Sequence, residues 1–122
     1  MLQRIVLLKW KPGTSEDQVH AALEKADALT EIPGVERITF GHDTSGARHG
    51  YTHALVIELD DESTLAGYLD HPIRRRYHDE QLAPIEGERI ELDLPVERTL
   101  RPDVGSEWRW APGVGMRVPL EE

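Results

Sequence analysis

Four segments of the chain carry apolar side chains in patterns that are typical of β-strands. In most of them apolar and polar residues alternate, and a period of two predicts a strand with one buried face. The first segment is instead a nearly continuous run of leucines and β-branched residues, which favours a strand buried on both faces. The predicted strands are residues 2–10, 35–42, 51–59 and 87–96.

A helix is predicted between the first two strands. Apolar residues recur there at helical spacing, at Val19, Ala22, Leu23, Ala26 and Leu29. Ser15 can act as the N-cap, and Gln18 stands three residues later, as in a capping box. We expect this helix to end near Ile32, because Pro33 and Gly34 cannot continue it.

A second, broken helical region is predicted between the third and fourth strands. Asp60 or Asp61 can cap a short helix over residues 62–70, which should stop before Pro72. Because proline suits the first turn of a helix, another helix should follow over residues 73–83.

The resulting order, β-α-β-β-α-β, predicts an α+β, ferredoxin-like protomer with helices on one face of an antiparallel sheet. The two central strands carry apolar residues on both faces. Ile5, Leu7, Ala54 and Val56 alternate with Val6, Leu8, Leu55 and Ile57. The helices can cover only one of these faces. We therefore expect a homodimer in which the free sheet faces pack together and form a dimeric α/β barrel.

The length, charge and residue composition of the chain disfavour several classes of function. The chain of 122 residues suits one domain, and its net charge of −9 disfavours nucleic acid as a partner. There is no cysteine, which excludes disulfides and thiol chemistry, and no apolar run approaches a membrane span. The first 13 residues do not resemble a signal peptide, so a cytoplasmic protein with no membrane partner is expected.

Residues 98–122 show neither a helical nor a strand period. This C-terminal extension is nevertheless too apolar for a purely solvated tail. We expect it to pack along the domain or along a partner subunit. The apolar residues concerned are Trp108, Trp110, Val114, Met116 and Val118.

Residues 1–97 resemble the stress-responsive dimeric α/β-barrel (Dabb) family. The most specific blocks are Gly50-Tyr51-Thr52-His53 and Leu69-Asp70-His71-Pro72. The full set of matching segments is 5–19, 32–41, 50–72 and 92–96. The resemblance implies a ferredoxin-like protomer that forms a dimeric barrel. It also implies mixed functions, since the family contains olivetolic acid cyclase, proteins similar to hydroxynitrile lyases, and stress-linked proteins of unproven activity.

The resemblance to the cyclase also implies a site. Its pocket histidine, tyrosine and His-Pro histidine fall on His53, Tyr68 and His71, whereas two of its other histidines fall on Arg4 and Arg74. The cyclase's proton transfer uses the histidine that Arg74 replaces. An arginine cannot be a general base at neutral pH, so Arg74 and Arg4 would instead hold an anionic group or a carbonyl oxygen.

The residue types leave several roles open. His53 is either an acid or base in a pocket or a hydrogen-bonded core histidine, and Tyr68 is either a proton donor or a core residue. His71 suits a helix cap as well as a substrate contact. His78, one turn after Arg74, could supply the missing imidazole.

The predicted pocket lies between the sheet and the helices. It should be lined by Arg4, Val6, Leu8, His53, Leu55, Tyr68 and residues 73–82. The main hypothesis is a small enzyme without a cofactor that acts on a carbonyl or polyketide-like molecule by cyclase, aldol or lyase chemistry. The alternative is a non-catalytic, small-molecule-binding or stress-related homodimer. No metal motif is present in the sequence.

Overall fold

The computed structural model describes residues 1–46, 49–102, 108–110 and 117–119. The strands are β1 Leu2–Trp10, β2 Val35–His42, β3 His53–Leu59, β4 Glu86–Pro95, β5 Trp108–Trp110 and β6 Arg117–Pro119. The α-helices are α1 Glu16–Glu24, α2 Leu65–Asp70 and α3 Pro72–Tyr77. Short 3₁₀ segments follow α1 at Lys25–Glu31 and precede α2 at Glu62–Thr64, and a π-helical turn at His78–Leu82 follows α3.

The first four strands form one antiparallel sheet in the order β2-β3-β1-β4. This confirms the predicted ferredoxin-like α+β order. The third strand begins at His53, two residues later than predicted. The register pairs Leu8 with His53 across β1 and β3, and Leu7 with Ile90 across β1 and β4. It therefore places the start of β3 beside the end of β1.

The core lies between the sheet and the helices. The even-numbered residues of β1 from Leu2 to Leu8 are buried, and α1 buries Val19, Ala22 and Leu23 against them. The predicted capping box is present. Gln18 N donates to Ser15 Oγ at 3.1 Å, and Ser15 N donates to Gln18 Oε1 at 2.8 Å. The cap fixes where α1 begins, and the 3₁₀ segment carries the helix to Glu31.

The second helical region breaks at His71, as predicted. The backbone N–H of Ile73 donates to His71 Nδ1 at 3.1 Å, and Pro72 occupies the first helical position. The helix then widens, because Ala83 N donates to the His78 carbonyl five residues earlier at 2.8 Å. This π-helical turn, which begins at His78, was not predicted from the sequence.

The face of the sheet away from the helices, called the outer face, is apolar. It carries Ile5, Leu7, Ala54, Val56, Ile90, Leu92 and Leu94. Leu92 and Leu94 are each 51% exposed. At one end of this face the Arg37 Nε lies 2.6 Å from a carboxylate oxygen of Glu58. The prediction that both faces of the central strands are apolar is therefore confirmed.

Beyond residue 102, the structure describes two short strands only. β5 and β6 pair in antiparallel register, with Trp108 opposite Pro119. The sequence shows no strand period here, because three-residue strands are too short to show one. The predicted packing of the apolar side chains in this extension lies outside the described residues. Across the residues that are described, no helix has the length and apolarity needed to span a bilayer.

Candidate functional site

His53, at the start of β3, is held by neighbours from two directions. Trp10 Nε1 donates a hydrogen bond to His53 Nδ1 at 3.0 Å, and Thr52 Oγ1 lies 2.7 Å from the same nitrogen. The ring of His42, opposite on β2, has its centroid 6.2 Å away. Partial burial lowers the pKa of His53, His42 lowers the pKa further, and Glu16 acts in the opposite direction.

An open cleft of about 640 Å³ lies beside His53, between α1 and the ends of β2 and β3. We call it the His53 cleft. Its lining residues are Glu16, Asp17, His20, Leu23, Phe40, Gly41, His42, Asp43, Thr52 and His53. Among these there is no lysine or arginine. The cleft thus combines imidazoles and carboxylates with an apolar wall, and its described lining contains no permanently charged cation.

A second space, about 630 Å³, lies on the outer face, and we call it the outer groove. Its walls include the apolar residues Leu7, Ala54, Val56 and Ile90. The outer groove and the His53 cleft share Phe40, Gly41, His42, Asp43 and His53. His53 therefore lies where the helix side of the sheet and its outer face open toward each other.

Tyr68 lines a different and much smaller space, called the Tyr68 cavity. It measures about 20 Å³, which is room for roughly one water molecule. Its lining residues are Arg4, Val6, Leu29, Leu55, Ile57, Tyr68, Arg74, Tyr77, His78, Leu82 and Arg89. Burial raises the pKa of Tyr68, although nearby Arg74 and Arg4 oppose the rise. The phenol therefore stays protonated at neutral pH.

Arg4, predicted to hold a substrate anion, is already paired within the chain. Its guanidinium is 2% exposed and lies 2.9 Å from both carboxylate oxygens of Asp93 and 2.9 Å from Glu91. Arg89 extends the network, because it contacts Glu91 at 2.8 Å and Glu86 at 2.6 Å. These carboxylates occupy the hydrogen-bonding positions that a substrate anion would need.

Of the remaining predicted residues, His71 has a structural role, whereas His78 and Arg74 line the Tyr68 cavity. The His71 ring caps α3 through Nδ1, as described above, and lines neither the cleft nor the Tyr68 cavity. His78 lines the Tyr68 cavity, and its ring nitrogens lie 3.3 Å from Asp79 and 3.8 Å from Glu86. Arg74 lines the same cavity and donates to the Leu69 carbonyl at 3.5 Å.

The single predicted pocket is thus two separate spaces. The structure brings Arg4, Val6, Leu55, Tyr68, Arg74 and His78 together around the Tyr68 cavity. It leaves His53 in the cleft and Leu8 fully buried in the core. Among the described residues, His53 and Tyr68 do not line the same space, because buried leucines including Leu8 and Leu55 fill the core on this side of the sheet.

Several residues that line the His53 cleft or contact His53 were missed from the sequence. Trp10 could have been found, because it continues the even-numbered face of β1 that carries Leu8. His20, His42 and the carboxylates of α1 gave no signal of their own, since exposed polar residues are common on helices and edge strands. In the described part of the chain, no three His, Asp or Glu side chains are arranged to hold a metal ion.

Comparison with known proteins gives a family and a fold. Residues 2–96 match the family model described as the stress responsive A/B barrel domain, Dabb. Among solved structures, a dimeric ferredoxin-like protein of unknown function from Thermobifida fusca is 28% identical, with a TM-score of 0.67 over 78% of this chain and 90% of that one. No curated protein matches this chain.

Two of the other similar structures are described as enzymes. The hydroxynitrile lyase of Passiflora edulis is 19% identical, with a TM-score of 0.70 over 82% of this chain and 96% of that one. SnoaB, a cofactor-independent oxygenase from Streptomyces nogalater, is 11% identical, with a TM-score of 0.68 over 83% of this chain and 97% of that one. At these identities the likeness shows a shared fold and no shared chemistry.

Proposed function

Because the chain belongs to the stress responsive A/B barrel domain (Dabb) family, we propose that it forms a homodimer that binds a small, uncharged carbonyl compound in the His53 cleft. Within that cleft the protein would act on the compound by proton transfer, and the proposed step uses no cofactor. The observation that carries this proposal is that the open space on the helix side of the sheet lies at His53. The Tyr68 cavity has room for about one water molecule.

The homodimer is supported by the outer face. Contiguous exposed leucines and isoleucines on a sheet are costly in water, and Leu92 and Leu94 are each half exposed. Similar structures, including the one from Thermobifida fusca, are described as dimeric. Packing two outer faces together would remove this surface from water and would also cover the outer groove.

The carbonyl class is supported by the chemistry of the cleft. An imidazole beside Phe40 and Leu23 suits a compact molecule with an apolar part and a hydrogen-bonding oxygen. In an aldol or lyase step, a carboxylate such as Glu16 or Asp17 would take a proton from a carbon or hydroxyl group. His53 would then hydrogen-bond to the oxygen on which negative charge develops. The hydroxynitrile lyase of the same fold shows that the architecture can support such chemistry in another protein.

A non-catalytic binding dimer is the second candidate. One observation favours it: within the described residues, no carboxylate is hydrogen-bonded to the ring of His53 to support it as a proton carrier. Direct chemical roles for Tyr68 and His78 remain predictions, and they would require the Tyr68 cavity to open. A cytoplasmic location also stays a prediction.

Binding and turnover can be tested with acetophenone, an uncharged ketone. We expect calorimetric binding to the wild-type dimer, and about fivefold weaker binding to His53→Ala, because a lost hydrogen bond is worth about 1 kcal/mol. Tyr68→Phe, whose side chain lines the Tyr68 cavity and not the His53 cleft, serves as the matched control and should bind normally. The anionic analogue 4-acetylbenzoate should bind more weakly than acetophenone, since the described lining of the cleft includes carboxylates but no lysine or arginine.

Loss of the methyl proton signal of acetophenone in D₂O, followed by NMR, separates an enzyme from a binder. Faster exchange with wild type than with His53→Ala would support proton transfer. Binding without exchange would leave only the non-catalytic candidate. If acetophenone did not bind, or bound equally well to His53→Ala, the proposed function would be wrong.

A further inference from the structure

Two groups compete for the same nitrogen of His53, and they differ in what they can do. The indole N–H of Trp10 can only donate a hydrogen bond. It points at His53 Nδ1 over 3.0 Å, so this nitrogen must accept and therefore carries no proton. The hydroxyl of Thr52, 2.7 Å away, can donate or accept and adapts to either state.

A neutral imidazole with no proton on Nδ1 carries its proton on Nε2. Among the described residues, His53 Nε2 has no hydrogen-bond partner, and no fully buried side-chain nitrogen or oxygen there lacks one. Nε2 is therefore accessible to solvent, and the ring lines the His53 cleft. The neutral ring therefore presents an N–H donor, and no basic lone pair, to a molecule in the cleft.

We infer that Trp10 is a positioning residue that fixes the tautomer of His53, so that His53 serves the cleft as a hydrogen-bond donor through Nε2 and not as a general base. The tautomer has a consequence for binding, namely a preference for ligands with an oxygen that accepts a hydrogen bond. This consequence rests on the proposed function. The tautomer also assigns proton abstraction to another group, such as a carboxylate of α1.

The charges around His53 bear on its protonation. From β2, His42 disfavours a second proton on His53, whereas Glu16 from α1 favours one. Asp17, His20 and Asp43 also line the cleft. Protonation would put an N–H at Nδ1 against the indole N–H, so it would break the Trp10 hydrogen bond. That loss adds to the partial burial that already lowers the pKa of His53.

The test is the ¹⁵N NMR spectrum of the histidine side chains in the full chain, which distinguishes protonated from unprotonated ring nitrogens. Wild-type His53 should show one neutral tautomer, with the proton on Nε2. Trp10→Phe keeps an aromatic ring and removes the N–H, so it should populate both tautomers and raise the pKa of His53. Thr52→Val should retain the single tautomer, because Trp10 still donates.

His20, exposed and paired with Glu24, gives an internal reference whose side-chain signals at a fixed pH should be the same in all three proteins. A wild-type His53 with its proton on Nδ1 would overturn the inference even if no variant could be prepared. An unchanged tautomer in folded Trp10→Phe would also overturn it. No ligand is needed, so the tautomer result stands or fails separately from acetophenone binding.

Discussion

Replacing Arg4 by methionine is expected to lower the free energy of unfolding by about 3 kcal/mol, the largest loss from any single side chain considered. Methionine fills much of the same volume, but it leaves the Asp93 carboxylate without its buried partner and Glu91 with Arg89 alone. Breaking one side of a buried ion pair costs about 3–5 kcal/mol. The lower end applies because the two carboxylate side chains are 38% and 32% exposed.

Arg37→Met is the matched control for Arg4→Met. Arg37 also pairs with a carboxylate, that of Glu58, but its side chain is 68% exposed. Pairs of this kind contribute at most about 1 kcal/mol. Urea unfolding of both variants at pH 7, followed by circular dichroism, compares them directly. Equal losses in the two variants would show that the Arg4 network contributes no more than a surface pair.

The Arg4 network also predicts a pH dependence. Partial burial alone would raise the pKa of Glu91, but hydrogen bonds from Arg89 and Arg4 outweigh it, and the pKa is lowered. A carboxylate whose pKa is lower in the folded chain stabilises that chain above its unfolded pKa. This stability disappears as the pH falls through the folded pKa. Arg4→Met should therefore weaken the acid dependence of unfolding below about pH 5.

The second large effect is expected at the outer face, where Leu92→Glu should convert the proposed homodimer into a monomer. Leu92 is 51% exposed on one chain, so the substitution should cost that chain little stability on its own. In a dimer packed through this face, each protomer would bury an unpaired carboxylate, which costs several kcal/mol. The dissociation constant should rise at least about a hundredfold.

Leu100→Glu controls for the general effect of placing a charge on an exposed leucine. Leu100 is 75% exposed and follows β4, outside the sheet. Sedimentation velocity at micromolar concentration should show a dimer for wild type and for Leu100→Glu, and a monomer for Leu92→Glu. A monomeric wild type, or a Leu92→Glu protein that stays dimeric, would contradict packing through the outer face.

The order of elements was predictable because each depends on local signals. The apolar run of β1, the alternation in the later strands, the capping box at Ser15 and the break at His71-Pro72 are properties of a few neighbouring residues. The apolar outer face followed from the same alternation. These features need no knowledge of which strands lie side by side.

The site was less predictable, because it depends on distances across the sheet. Alternation places His53 on the helix side, but it does not say how far from Tyr68 it lies along that face. Arg4 seemed free to hold an anion until the register of β4 placed Asp93 opposite it. Likewise, the Trp10–His53 hydrogen bond joins the end of one strand to the start of another, 43 residues apart.

The most direct measurement of the central claim is a crystal structure of the protein soaked with acetophenone. The account predicts one ketone in each His53 cleft, with its oxygen within hydrogen-bonding distance of His53 Nε2 and its ring near Phe40 and Leu23. A ketone bound beside Tyr68 and Arg74 instead, or a cleft that stays empty at saturating ketone, would contradict it.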